Sequence, residues 1–226
     1  MNLCSMKLPT TNTTCMKTSF NNLKGLVCVL IIFCNAALLS AQNSKYIVSE
    51  AFSNSYANES KKNYQLAIND LMAVYDEQSY EINVRLGWLY YYLEAYEVSK
   101  KYYSKAVQLN PNSVEGRLGL VLPASALANW DLVLQQYLEI LKIDDLNSTV
   151  NYFTGLIFYN KSEYSNAEKY FEKVYQHYPF NYDTAIVLAI TKQKLKKDND
   201  ARNLFMKALI FYPGDQIALD GLKSLE

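Results

Sequence analysis

Seven glycines, five prolines and a single histidine are spread over 226 residues, and all four cysteines (Cys4, Cys15, Cys28, Cys34) lie near the N-terminus. With half the residues hydrophobic, the scarcity of Gly and Pro excludes a low-complexity or disordered chain. Beyond Cys34 there is no thiol, which removes disulfides, thiolate metal sites and cysteine nucleophiles from the remainder. His177 has no acid or nucleophile near it in sequence, a weak basis for acid–base chemistry or metal binding. No phosphate-cradling glycine loop, zinc spacing or nucleophile elbow occurs. Asp144-Asp145 and Asp198–Asp200 lack the glycine and distal Glu of a calcium loop and read as caps or turns. The Lys192–Lys197 run reads as a solvated helix end that complements the helix dipole. No basic face suited to nucleic acid is present. A non-catalytic protein without metal or cofactor is the expectation.

Residues 1–41 contain Lys7, Lys17 and Lys24 and no acidic residue. The apolar run "GLVCVLIIFCNAALLSA" follows the last of these lysines and gives way abruptly to "QNSK". Lysines, a short apolar stretch and small residues at its end are the pattern of a signal peptide. The expected division is a leader of bacterial character at residues 1–41 and an exported domain at residues 42–226, periplasmic or envelope-associated. The apolar run is shorter than the ~20 residues of a spanning helix. Membrane attachment is therefore expected only if the leader stays uncleaved.

A period organises the exported part. Pro111, Pro179 and Pro213 fall on a 34-residue lattice, as do Tyr96, Trp130 and Tyr164, and Tyr103, Tyr137, Phe171 and Phe205. Ala106, Ile140, Val174 and Ala208 form a further column. Within a block, Ala167, Phe171 and Val174 have the i, i+4, i+7 spacing of one helix stripe, and Ala201, Phe205 and Ala208 repeat it. Each block reads as two helices, with proline after the second because it cannot continue a helix. No period-2 alternation of useful length appears, so no sheet is expected.

Leu86, Gly87, Tyr90, Tyr96, Tyr103, Ala106 and Pro111 together resemble the tetratricopeptide repeat family, a 34-residue helix–turn–helix. The resemblance implies an all-α fold, a right-handed superhelical solenoid of helix–turn–helix repeats. A degenerate repeat spans 48–79, full repeats span 80–113, 114–147, 148–181 and 182–215, and a capping helix spans 216–226. In block 114–147, "RLGL" sits two residues early relative to Trp130 and Pro123 falls inside the first helix. A kink or early stop near Pro123, and a longer turn over Ala124–Asn129, are expected there.

In the family, the first helices line a concave groove that holds a peptide or partner helix. Its positions carry over to Glu81, Val84, Trp88, Tyr91 and Tyr92 in the first full block. They carry over to Thr149, Tyr152, Leu156, Tyr159 and Asn160 in the third, and to Asp183, Ile186, Ile190, Gln193 and Lys194 in the fourth. The shifted register leaves block 114–147 unassigned. Trp88, Tyr91, Tyr92, Tyr152, Leu156, Tyr159, Asn160 and Lys194 are the residues expected to meet a protein or peptide partner, because rings with polar tips suit interfaces. Tyr90, Tyr96 and Tyr103 are expected in the core, with the aromatics that repeat them. A membrane-tethered scaffold and a glycan-binding accessory protein are the alternatives.

Overall fold

A computed structural model describes residues 45–226; the leader expected at residues 1–41 lies outside the described residues. Residues 45–54 are helical, and residues 55–226 form a compact unit of their own. The described residues contain helices and no strand. Helix α1 covers residues 45–60, followed by α2 (Tyr64–Met72), α3 (Tyr80–Tyr92), α4 (Tyr96–Leu109), α5 (Val114–Ala126) and α6 (Trp130–Ile143). The chain continues through α7 (Ser148–Asn160), α8 (Tyr164–His177), α9 (Tyr182–Lys194), α10 (Asp198–Phe211) and α11 (Gln216–Lys223).

From α3 to α10 the first helix of every pair has 13 residues and the second 14, and all boundaries recur at the 34-residue step. Local chemistry sets this regularity. Ser79, Ser113, Asn147, Asn181 and Asp215 each accept, at 2.8–3.2 Å, from the backbone N–H three residues on. Such a cap satisfies an otherwise orphaned helix donor and contributes about 1 kcal/mol. A second column locks the preceding turn to the helix: Asn83, Arg117 and Asn151 donate to the carbonyls of Glu77, Pro111 and Asp145 at 3.1, 3.0 and 2.9 Å. Within each pair the chain reverses through one left-handed residue, Glu94, Ala128, Ser162 or Lys196, with φ between 54° and 61°.

Pairs stack through an aromatic knob on each second helix. Tyr103, 2% exposed, lies between Gly87 of its own pair and Gly119 of the next. A Cβ at residue 87 would stand 2.7 Å from Tyr103 Cδ2, and one at residue 119 would stand 2.1 Å from Cε1. Both flanking helices must therefore present hydrogen where the ring enters. The same knob, Phe171, meets Gly155, and Phe205 meets Gly221 of the terminal helix α11. At Tyr137 the two flanking positions are instead Val121 and Phe153, and this substitution of bulk for hydrogen shapes the junction described below.

Block 114–147 corrects the expected early stop, longer turn and shifted register. Helix α5 runs through Pro123 to Ala126, the same length as its counterparts, and the following turn is no longer than theirs. Pro123 lies in the last turns, where it removes a single donor, and its own carbonyl accepts from Leu127 N at 3.0 Å. The register is not shifted either. The glycine two residues early is a different position of the repeat, the seat for the previous pair's knob.

Gly119→Ala is expected to destabilise the unit by about 2–3 kcal/mol, because a methyl cannot enter a packed ring without displacing it. Ala128→Gly, which relieves a left-handed alanine, is expected to stabilise it by roughly 0.5–1 kcal/mol. Urea midpoints at constant m-value check both changes.

Candidate functional site: an aromatic groove with a cavity at one junction

The groove positions expected from sequence lie on α3, α5, α7 and α9. Their exact phase assigns block 114–147: Leu122, Ser125 and Ala126 are the equivalents of Trp88, Tyr91 and Tyr92, and of Leu156, Tyr159 and Asn160. Two columns that carry tyrosine on one or both neighbouring helices thus carry serine and alanine on α5.

A cavity of about 840 Å³ opens there. Its walls include Tyr91 from α3, Leu122 and Ser125 from α5, Trp130 and Tyr137 from α6, and Phe153, Leu156 and Asn160 from α7. Small side chains on α5 leave the space, and the crowded seat of Tyr137 widens it. Phe153 cannot offer the gap that Gly119 offers Tyr103. The two rings stack instead, with centroids 6.3 Å apart and planes at 18°, and Phe153 stays 45% exposed. Trp130, expected in the core with Tyr96 and Tyr164, is 52% exposed at the lip of the cavity. The ring has no filled seat to enter at this junction.

Of the sequence-derived contact residues, Tyr91, Leu156 and Asn160 converge on this cavity. Tyr152 lies in a neighbouring cleft of about 350 Å³, which shares Phe153 with the cavity and also carries Asp183. The remaining four are elsewhere. Trp88 donates its indole N–H to Glu59 Oε1 at 2.6 Å and packs edge-on against Tyr92 at 4.6 Å. Tyr92 is partly exposed and stacks on Tyr64 at 5.3 Å, Tyr159 packs against Tyr164 at 5.3 Å, and Lys194 is exposed beyond the cavity. Ile186 is buried at 5% exposure and offers no groove surface, because it packs into the core between α8, α9 and α10.

The core expectations also divide. Tyr103 is buried, whereas Tyr90 and Tyr96 are only half-buried, since they sit at the margins of their helix pair. Tyr90 stacks on Tyr102 with centroids 5.4 Å apart and planes at 6°, an arrangement repeated by Phe158 on Tyr170 at 5.5 Å. Both pairs lie two repeat steps apart, a signal sufficient to assign Tyr102 from sequence.

Charged groups around the groove are mostly engaged with one another. Burial alone would raise the Glu59 carboxyl, but hydrogen bonds from Arg85 and Trp88 hold it below its ordinary value, and Arg85 lies 4.0 Å over the Tyr56 ring. The Tyr182 hydroxyl, donating to Asp215 at 2.5 Å, is pushed up to about 12 by that carboxylate. Burial, and then Asp183, raises the Tyr152 hydroxyl. Lys161 at the cavity edge pairs with Asp131 at 2.7 Å. The Lys192–Lys197 run, expected from sequence to be solvated, is instead engaged in ion pairs at two of its lysines. Lys192 is buried between Glu168 and Glu172, each at 2.7 Å, and Lys197 reaches Glu168 at 2.6 Å. Glu168 points inward from α8 and holds the buried Lys192 amine, while Lys197 reaches it from the surface.

His177 is exposed, with Nδ1 2.9 Å from the Lys173 carbonyl oxygen. Asp144 accepts from the Asn147 amide at 3.1 Å, and Asp200 lies 3.6 Å from Lys192. Among the described residues no group of three or more histidine, cysteine or acidic residues converges as for a metal, and no helix is long and apolar enough to cross a membrane.

Helix pairs of equal length in strict 34-residue phase, each packed on the next, define a helical-repeat solenoid. The pattern of the tetratricopeptide repeat family matches residues 80–113, and the helical fold is that of tetratricopeptide repeat solenoid proteins. The crystal structure of MamA is 17% identical, with 73% of this chain and 91% of that chain covered at a TM-score of 0.64. A tetratricopeptide repeat protein from Parabacteroides merdae is 17% identical, with 80% and 72% covered at 0.66. YrrB, described as a tetratricopeptide repeat protein with an unusual peptide-binding site, is 16% identical, with 82% and 97% covered at 0.66. At these identities the likeness is one of fold. No curated protein matches the chain in sequence.

The buried ion network sets a pH dependence. Burial works to raise the Glu168 carboxyl, and the hydrogen bonds from Lys192 and Lys197 overcome it, placing the folded value below the ordinary 4.5. The stabilisation is therefore complete above that ordinary value and is lost as pH falls through the lower folded one. Glu168→Gln is expected to cost on the order of 2 kcal/mol at neutral pH, less than a fully buried pair because Glu172 and Asp200 still face Lys192. Thermal melts of the variant should also fall less steeply than wild type on acidification.

Proposed function

We propose that this protein is a non-catalytic adaptor that binds a protein or peptide partner on the concave face of its solenoid, at the bacterial cell envelope. The observation that carries the reading is the apolar cavity of about 840 Å³ opening on the groove positions of consecutive repeats. Its size falls within the roughly 300–1,000 Å³ of pockets that enclose a ligand. Its walls mix rings with a few polar tips, Ser125, Asn160 and the Tyr91 hydroxyl among them, a composition suited to side-chain recognition. The peptide-binding site named for YrrB, on the same fold, adds support. A passive binding role also accords with the engagement of the neighbouring charged groups in structural pairs, Glu59 with Arg85 and Lys161 with Asp131.

Export rests on the lysine-plus-apolar leader of residues 1–41, and membrane attachment would require that leader to persist. A scaffold role through another surface has one specific support. Ile210 on α10 and Phe180 before α9 are 72% and 82% exposed, apolar groups well placed to meet a neighbour in a larger assembly.

Envelope proteins co-purified with the full chain test the groove. Tyr91→Ala combined with Leu156→Ser is expected to abolish recovery of the specific partner, and Ile210→Ser is expected to leave it unchanged. The opposite pattern would move the interface to the outer surface.

A further inference from the structure

We infer that the cavity at the α5–α7 junction receives bulky apolar side chains from a partner segment that carries lysine or arginine on the flank facing Asp183. This rests on the reading that the concave face binds a protein, and it adds what that partner must look like.

The apolar half of the inference comes from the repeat itself. At two adjoining groove columns the neighbouring helices hold Tyr91, Tyr92 and Tyr159, while α5 holds Ser125 and Ala126. The cavity is the space those rings would occupy, enlarged by the crowded Tyr137 seat, and Trp130 and Phe153 remain exposed around it. Large rings left exposed about an open apolar space are the setting in which a partner's side chain gains most by burial. About 840 Å³ exceeds what one side chain fills, so a segment presenting two or three apolar groups on one face fits better than a single anchor.

The charged half comes from a different column. Glu81, Glu115 and Asp183 are equivalent positions on α3, α5 and α9, and all three are exposed. Glu81 and Glu115 meet only hydroxyls, Ser79 at 3.1 Å and Tyr80 at 3.4 Å, and among the described ion pairs none includes any of the three. Asp183 lines the cleft that shares the Phe153 wall with the cavity. Lys161, the cation at the cavity edge, is already matched by Asp131. A segment seated in the cavity and crossing Phe153 therefore meets the exposed Asp183 carboxylate, which no described ion pair includes, and this favours a cationic partner over an acidic one.

The probe is a fluorescein-labelled synthetic amphipathic helix with phenylalanine at i, i+3 and i+7 and lysine along one flank, titrated into the full chain by anisotropy. Two control peptides replace the lysines by glutamate and the phenylalanines by alanine. Both controls are expected to bind about tenfold or more weakly, the size of losing one good anchor. Ser125→Tyr and Ala126→Tyr restore the ring found at an equivalent position and should each weaken the phenylalanine–lysine peptide by about tenfold while keeping the helical circular dichroism. If either variant fails to fold, Leu122→Ser supplies the same test. Asp183→Asn should weaken the lysine peptide and leave the glutamate peptide unchanged or improved.

No binding of the phenylalanine–lysine peptide, equal binding of the glutamate peptide, or binding indifferent to Ser125→Tyr and Ala126→Tyr would each overturn the inference. If the envelope partner still depends on Tyr91 and Leu156 in that event, the groove reading survives with a different occupant. Loss of that dependence would instead remove the groove reading itself.

Discussion

The joints of this solenoid depend on an aromatic ring entering space that a missing side chain leaves open. Tyr103 is held between Gly87 and Gly119, and a Cβ at either position would overlap the ring. Each helix pair buries its apolar face only against neighbours, so the contact that joins pairs also completes their cores. Where both seats are glycine the junction closes. Where they are Val121 and Phe153, Tyr137 is left with a stacked partner and a cavity beside it. The same repeat rule that builds the fold therefore opens the candidate site at the junction where it is broken.

The polar architecture serves repetition rather than chemistry. Caps at five equivalent positions and the side-chain donors at residues 83, 117 and 151 fix the start of each first helix. Buried charges occur as matched groups, with Glu168 holding Lys192 and Lys197 among α8, α9 and α10, and Glu59 holding Arg85 and Trp88 near α1. Removing one partner from such a group leaves an uncompensated charge, so these sets constrain how neighbouring helices pair. Several groove tyrosines are constrained in the same way. Tyr92, flanked by Tyr64 and Trp88, belongs more to the wall of the solenoid than to its binding surface.

Periodicity made the fold legible in the sequence. Columns of apolar and aromatic residues at a fixed step specify helix pairs, their order and their joints, because every repeat solves the same packing problem with the same residue types. The seat at Gly119 was harder to recognise. In sequence it resembles the Gly87 position shifted by two, and only its contact with the previous pair's ring separates the two roles. Pro123 likewise reads as a break, yet α5 continues through it to the length of its counterparts.

Residue identity and spacing alone determined the all-α helix-pair repeat and its 34-residue step. Whether a groove residue is free to meet a partner was decided only by tertiary structure. Trp88 and Tyr91 are alike on the helix, yet the indole is bonded to a carboxylate 29 residues earlier while the tyrosine lines a cavity formed with α5, α6 and α7. The cavity is a sum over four helices of volumes present and missing. No single column of the sequence contains that sum, because packing is decided between repeats and periodicity is read within them.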